Sequence, residues 1–358
     1  MGGQGRRDFL AFVEADAYVK GMDRDQANAA RFDAKNRKGH YESWFIRGNS
    51  PSGEQAFWIR YTIFQPAGAP EQAVGQRWAI VFRPEGIIAV KDELPITECD
   101  FSPAGLRARI GNSTLDDEGA LGECFRGEHS IRWHLAMSGG DEPLLLLSER
   151  LYTGSFPKAK ALVPRPRVRF NGALVVDGER ISIDGWQGSQ NHNWGLRHTD
   201  RYAWGQVASF VERDDAFLEL STAQLDIGPF RSPWFTPLTL RLGERAYEFG
   251  SLWAAAQNHG DYGAAPNGAP SPSEHPRWSF AASRGDVSIR GTIHAPGDAF
   301  VALPYGNPPG GEKICLNTKC AHCELTLVDN GERHTLTSKS AAFEILSDVR
   351  PGNIPLAF

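Results

Sequence analysis

The stretch DGWQGSQNHNWGLRHTDRYAWGQ, Asp184 to Gln206, holds three tryptophans, two histidines, two asparagines, a tyrosine and four glycines in 23 residues. Such types suit a site for a hydrophobic small molecule, where flat apolar walls carry a few orienting polar groups. In YAWGQVASF, alternation puts Tyr202, Trp204 and Gln206 on one strand face and Ala203, Gly205 and Val207 on the other. Tyr, Trp and Gln together are unusual for a dry core and suit the inside of a ligand-holding barrel. Asn191, Asn193 and Gln206 offer acceptors for buried indole N–H groups. Gly195 permits a turn that would return His192 and Trp194 to the same face, so His192, Trp194, Tyr202 and Trp204 are expected to border one cavity. The same residues would also suit a structural corner, with His192 and His198 as hydrogen-bonded core histidines.

The chemistry open to such a cavity is proton transfer to an apolar substrate. A carboxyl in apolar surroundings is kept neutral by desolvation and can serve as the acid. Aromatic faces favour a developing carbocation, and enclosure of a flexible chain removes part of the entropic barrier to cyclisation. Glu219 and Asp184 are the candidate acids, with His192 orienting or relaying the proton. Trp194, Tyr202 and Trp204 would form the wall, joined by Trp44, Trp58 and Trp186. Asn191, His198 and Gln206 would contact polar parts of the substrate.

The elements that must position these residues read as short strands. From Tyr41 onward, aromatic and β-branched segments such as QAFWIRYTIFQ and RWAIVFR alternate with Gly, Pro and Asn, the rhythm of antiparallel β-structure. Asp177-Gly178 and Asn330-Gly331, each between apolar runs, are hairpin signals. RDQANAARFDAKN, near the N-terminus, predicts a short helix. FPKAKALVPRPRVRF, with three prolines in ten residues, reads as an inter-domain linker. The expected organisation is therefore all-β, with two antiparallel β-barrels side by side, residues 1–160 and 161–358. A Gly/Pro/Ala-rich loop, AAAQNHGDYGAAPNGAPSPSEHP, interrupts the second half and is expected to be mobile.

The chain has 358 residues and a net charge of -5, with no basic run interleaved with aromatics, which argues against nucleic acid as a partner. MGGQGRRDFLAFVEADAYVK lacks the apolar length of a signal peptide, and PLLLLSERL is too short to span a bilayer, so a cytoplasmic protein is expected. Contact with a membrane surface and the oligomeric state stay open. Five cysteines do not form a disulfide framework, and CLNTKCAHC lacks the second ligand pair of a zinc site; no metal and no other cofactor are expected. The chain has no phosphate cradle and no Gly-x-Ser-x-Gly hydrolase elbow.

GSQNHNWGLRHTDRYAWGQ resembles the central motif of the lipocalin-like (calycin) superfamily that contains carotenoid hydratases, tocopherol cyclases, kievitone hydratase and Diels–Alderase-type cyclases. YESWFIRGNSPSGEQAFWIRYTIFQP and YGNPPGGEKICLNTKCAHCELTL are similar to its opening and late strands. The resemblance implies paired lipocalin-like barrels with a pocket at their junction, and cofactor-free hydration, isomerisation or cyclisation of a terpenoid, carotenoid or polyketide-like molecule. In carotenoid hydratases the pattern is His-x-Trp, followed on a later strand by Tyr-x-Asp. His192-Asn193-Trp194 matches the first part; Phe217-Leu218-Glu219 answers the second, with Phe for Tyr and Glu for Asp. A non-catalytic carrier with the same pocket is the alternative, and a partner-binding module a third.

Overall fold

The computed structural model describes residues 21–154, 156–227, 230–263, 275–347 and 354–358. The signal-peptide reading and the centre of the Gly/Pro/Ala-rich loop lie outside these residues.

The first sheet contains β1 (His40–Asn49), β2 (Ala56–Gln65), β3 (Val74–Arg83), β4 (Gly86–Pro95), β5 (Cys99–Phe101), β6 (Arg107–Ile110), β7 (Ser113–Asp116), β8 (Gly119–Arg126), β9 (His129–Gly139), β10 (Leu144–Leu145), β11 (Ala159–Val176) and β12 (Glu179–Gly195). Its order is β4-β3-β2-β1-β12-β11-β9-β8-β7-β6-β5, with β10 on β11. β4 also meets β8 and β9 across the curl of the sheet, giving a nearly closed antiparallel barrel. The second half contains β13 (Arg201–Val207), β14 (Ala216–Gln224), β15 (Asp226–Ile227), β16 (Phe230–Arg231), β17 (Leu238–Leu242), β18 (Arg245–Glu248), β19 (His259–Asp261), β20 (Arg277–Arg284), β21 (Val287–His294), β22 (Val301–Gly306), β23 (Glu312–Asp329) and β24 (Glu332–Ser347). All but the β15–β16 pair join one sheet, ordered β18-β17-β14-β13-β24-β23-β21-β20-β19 with β22 on β23. It wraps its own core of Leu218, Leu220, Trp278, Phe300 and Phe343. Edge strand β18 reaches across to β23, where Tyr247 Oη donates to Asp329 at 2.7 Å. No helix among the described residues is long and apolar enough to cross a membrane.

Both Asx-Gly hairpins form, because Asp177 and Asn330 tolerate positive φ (50° each) and the following glycines, at 88° and 85°, complete the turn. The proline-rich segment is corrected: it is the start of β11, not a linker. Pro164 and Pro166 fall within the register shifts between Leu162, Arg165 and Val168, where a proline withholds no ladder hydrogen bond. The change of sheet comes instead between Gly195 and Arg201, so the expected boundary at 160 moves to the end of β12. The N-terminal helix, α1, spans only Arg24–Asn28, closed at its start by an Asp23/Gln26 capping box. It stops early because the backbone of Ala27, Asn28 and Arg31 bonds to residues of the first barrel instead.

All ten residues of β1 are buried, because both its faces are covered. Trp44 and Ile46 belong to the core of the first barrel, while Phe45 packs in the cluster between the barrels with Trp58, Trp78, Leu303 and Tyr305. β1 and β12 approach closely where Gly48 pairs with Gly188; a Cβ on Gly188 would lie 1.7 Å from the Arg47 carbonyl oxygen. Gly188→Ala is therefore expected to push these central strands apart and cost about 1–3 kcal/mol or more. Urea denaturation measures this, and parent-like stability would show that the close approach is dispensable.

Candidate active site

The strands around the junction place polar groups among aromatics. Gln206, fully buried on β13, is the hub. Its Oε1 accepts from Arg47 Nε (2.7 Å) and Ser189 Oγ (2.6 Å), and its Nε2 donates to Asn191 Oδ1 (2.7 Å) and Glu219 Oε2 (2.9 Å). Asn191 Nδ2 closes the ring by donating to Ser189 Oγ at 2.8 Å. Gln206 and Glu219 are direct register partners on β13 and β14, and Trp204 Nε1 donates to Glu219 Oε1 at 2.7 Å. On the other side of β13, Trp204 is opposite Glu344, whose Oε1 accepts from Asn317 Nδ2 and Lys319 Nζ, both at 2.7 Å. The Lys319 ammonium lies 5.5 Å from the Trp204 ring and 5.4 Å from the Trp58 ring.

Burial pushes the Glu219 carboxyl up to about 8, against the hydrogen bonds from Trp204 and Gln206 and the nearby charge of Arg47. It is thus a neutral acid at neutral pH. Both its oxygens already accept a donor, so the conjugate carboxylate is solvated in advance. Burial lowers Arg47 to about 10, with Glu219 opposing.

An aromatic series runs outward from this acid. Phe45 meets Trp204 edge-on at 6.3 Å and Trp58 at 5.9 Å; Trp58 meets Trp78 at 6.4 Å; Trp78 meets Phe358 at 5.2 Å. At its outer end lies a cavity of about 370 Å³ lined in part by Phe64, Gln76, Lys91, Glu93, Arg126 and Phe358.

The sequence expectations divide here. Asn191, Tyr202, Trp204, Gln206 and Glu219 converge on the junction. His198 sits at its margin, stacked on Tyr41 (4.1 Å) and with Nε2 donating to the Gly306 carbonyl at 3.1 Å; burial, then Arg60, lowers its pKa to about 3, so it is neutral. His192, Trp194 and Trp44 do not join them. They lie on the opposite face of β12 and β1, where the His192 ring stacks on Trp44 at 4.6 Å and contacts Trp194 at 4.8 Å. Gly195 pairs within the ladder, opposite Tyr41 and Ala159, and does not turn His192 back. Asp184 is exposed on the outer part of β12, which leaves Glu219 as the buried candidate of the two. The aromatic-x-Trp pair beside Glu219 is thus Tyr202-x-Trp204, not His192-x-Trp194.

The His192 cluster has its own logic. Nδ1 faces the Ala27 carbonyl at 2.7 Å and Nε2 faces Glu42 Oε1 at 3.0 Å. Burial lowers the His192 pKa below the ordinary histidine value, and the hydrogen bond to Glu42 and that to the Ala27 carbonyl oppose it. For Glu42, burial raises the pKa, but the hydrogen bonds from His192 and His40 outweigh it and hold the carboxyl at about 2. Glu42 also accepts the Arg31 backbone N–H, the Arg31 guanidinium lies 4.3 Å over Trp194, and Trp44 Nε1 donates to the Asn28 carbonyl at 2.8 Å. This buried hydrogen-bonded cluster therefore pins residues 27–31 onto the first barrel.

Arg47, Ser189, Lys319 and Glu344 were not foreseen. Their signal was faint: an arginine inside the aromatic run SWFIRGN and a lysine between cysteines. Cys315 lies beside Glu344, Cys323 in the second core, and Cys320 packs at the junction; among the described residues no three His, Cys, Asp or Glu side chains converge as a metal site.

The fold is that of lipocalin-like two-barrel proteins. Among solved structures, a presumed AttH of Nitrosomonas europaea superposes with a TM-score of 0.56 at 12% identity, covering 90% of this chain and 98% of that one. CghA, solved with Sch210972, superposes at 0.50 with 11% identity, covering 88% of this chain and 90% of that one. In sequence, an uncharacterized protein of Mycobacterium tuberculosis strain H37Rv is 24% identical over 323 residues, 87% of this chain and 88% of the relative; its counterpart in strain CDC 1551 gives the same figures. No protein-family model matches the chain.

Proposed function

We propose that this chain is a cofactor-independent enzyme that hydrates, isomerises or cyclises a hydrophobic terpenoid, carotenoid or polyketide-like molecule at the barrel junction, with Glu219 as the proton donor. The observation that carries this reading is Glu219 itself: a buried carboxyl held neutral to about pH 8, bonded to Trp204 and Gln206 in an aromatic wall. Glu219 gives its proton to an unsaturated carbon. Trp204 and Gln206 then stabilise the carboxylate, with Arg47 polarising the Gln206 amide through Oε1. Water addition with loss of a proton, or proton loss from a neighbouring carbon, returns the acid to its starting state. His192 takes no part in this step.

The test is turnover in deuterium oxide with a mixture of polyenes and prenylated phenols, read by mass spectrometry. An enzyme incorporates solvent deuterium into product, and its rate declines as pH rises through about 8, where Glu219 ionises. Ligands that co-purify and return unchanged, without deuterium, would instead identify a carrier.

A further inference from the structure

The junction holds more hydrogen-bond donors and more positive charge than its own residues satisfy. On one face of β1 and β2, Arg47 is register partner to Trp58, and Arg60 lies two residues further along β2. All three are buried, at 0%, 1% and 4% exposure. Yet Arg47 Nη2, Trp58 Nε1 and Arg60 Nε have no acceptor. Neither arginine forms an ion pair among the described residues. The Arg60 guanidinium lies 4.8 Å from the Tyr305 ring and 5.6 Å from those of Trp58 and Trp78. Those faces offset part of its charge but offer no acceptor for Nε. Lys319 faces the same space and is matched by Glu344. Three cations thus meet one paired carboxylate and Glu219. Buried donors without acceptors are costly, and buried cations without partners more so. A ligand with a negative oxygen relieves both.

We propose that the junction takes a substrate with an anionic oxygen head, a carboxylate or enolate, which accepts from Trp58 Nε1 and Arg47 Nη2 in the field of Arg60, with the apolar body along the Phe45–Trp58–Trp78 series. This rests on the junction being the functional site and narrows the substrate from a plain hydrocarbon to an acidic polyene or enol. It also matches the electrostatics: excess positive charge opposes a free carbocation but favours proton delivery to a carbon conjugated with an anionic oxygen. For an enolate head, Glu219 supplies the proton to the α-carbon, the C=C electron pair forms the C–H bond, and the oxygen's charge passes into a C=O bond; a carboxylate head serves as the anchor alone.

The experiment is a tryptophan-fluorescence titration of the full chain with retinoic acid and with retinol, which share a carbon skeleton and differ at the head. Retinoate is expected to bind at least about tenfold tighter, the order associated with a charged group regaining its hydrogen bonds. Trp58→Phe, which keeps an aromatic ring and removes the N–H, and Arg60→Met should each lose most of that ratio, through a larger fall in retinoate affinity than in retinol affinity. Glu219→Gln should keep the ratio, so loss of proton transfer and loss of head recognition are read separately. Equal affinity for the two probes, no binding of either, or an unchanged ratio in both variants overturns the proposal.

Discussion

Glu219→Gln is expected to reduce turnover by about 10^2–10^4-fold, the usual contribution of a positioned general acid. The substitution keeps side-chain volume and an oxygen that can accept from Trp204 Nε1. It removes the one proton the site can deliver. Stability should move the other way. The folded carboxyl titrates at about 8 and the unfolded one near the ordinary 4.5, so the native state binds the extra proton between those values. The wild-type chain therefore loses stability as pH rises from about 4.5 to 8, by an amount on the order of a few kcal/mol, and is flat above that. Gln does not titrate, so the variant should lack this slope and melt higher than wild type at pH 8. Paired melts at pH 5 and pH 8, with rates at both, measure the two effects together. A variant that keeps wild-type turnover would exclude Glu219 as the acid.

His192→Ala is expected to destabilise the fold by about 2–5 kcal/mol, from the hole left by a fully buried ring and the donor lost to Glu42 and the Ala27 carbonyl. The loss takes one donor from the fully buried Glu42, which keeps those of His40 and the Arg31 backbone, and removes the bond to the Ala27 carbonyl that ties down α1. Lower melting temperature and faster proteolysis around residues 27–31 should accompany it, while retinoid binding at the junction is retained. The pH response runs in the acid direction. Glu42 is held at about 2, below its ordinary 4.5, so its stabilisation is complete above 4.5 and lost as pH falls toward 2. A His192→Ala chain that melts like wild type but no longer turns over would reverse the roles assigned to the two clusters.

The contrast between these variants shows which inferences local sequence could carry. Alternation correctly grouped Tyr202, Trp204 and Gln206, because side chains two apart on a strand share a face whatever the strand packs against. The Asx-Gly turns were equally legible, since positive φ is a property of the residues at the turn. Glu219 stood out as a carboxylate in an apolar run, AFLELST. The pairing of His192 with this group failed for the same periodicity that made the rest succeed: one residue along β12 from Asn191, it faces the other way.

Composition and strand rhythm alone thus determined an all-β chain in two halves, its hairpins, and one face of the site. Tertiary structure decided where the halves divide, because the prolines of β11 are harmless only at register shifts created by its partner strands. It also decided which buried face gathers the candidate site. β1 and β12 are covered on both sides, so burial cannot distinguish the barrel interior, where Glu42 and His192 hydrogen-bond each other, from the junction, where Arg47 Nη2 has no acceptor and Glu219 lies among aromatics. That difference arises from contacts between β1, β12, β13 and β24, residues as much as 293 positions apart, such as Arg47 and Ser340, and no local pattern encodes the meeting of chain segments so distant.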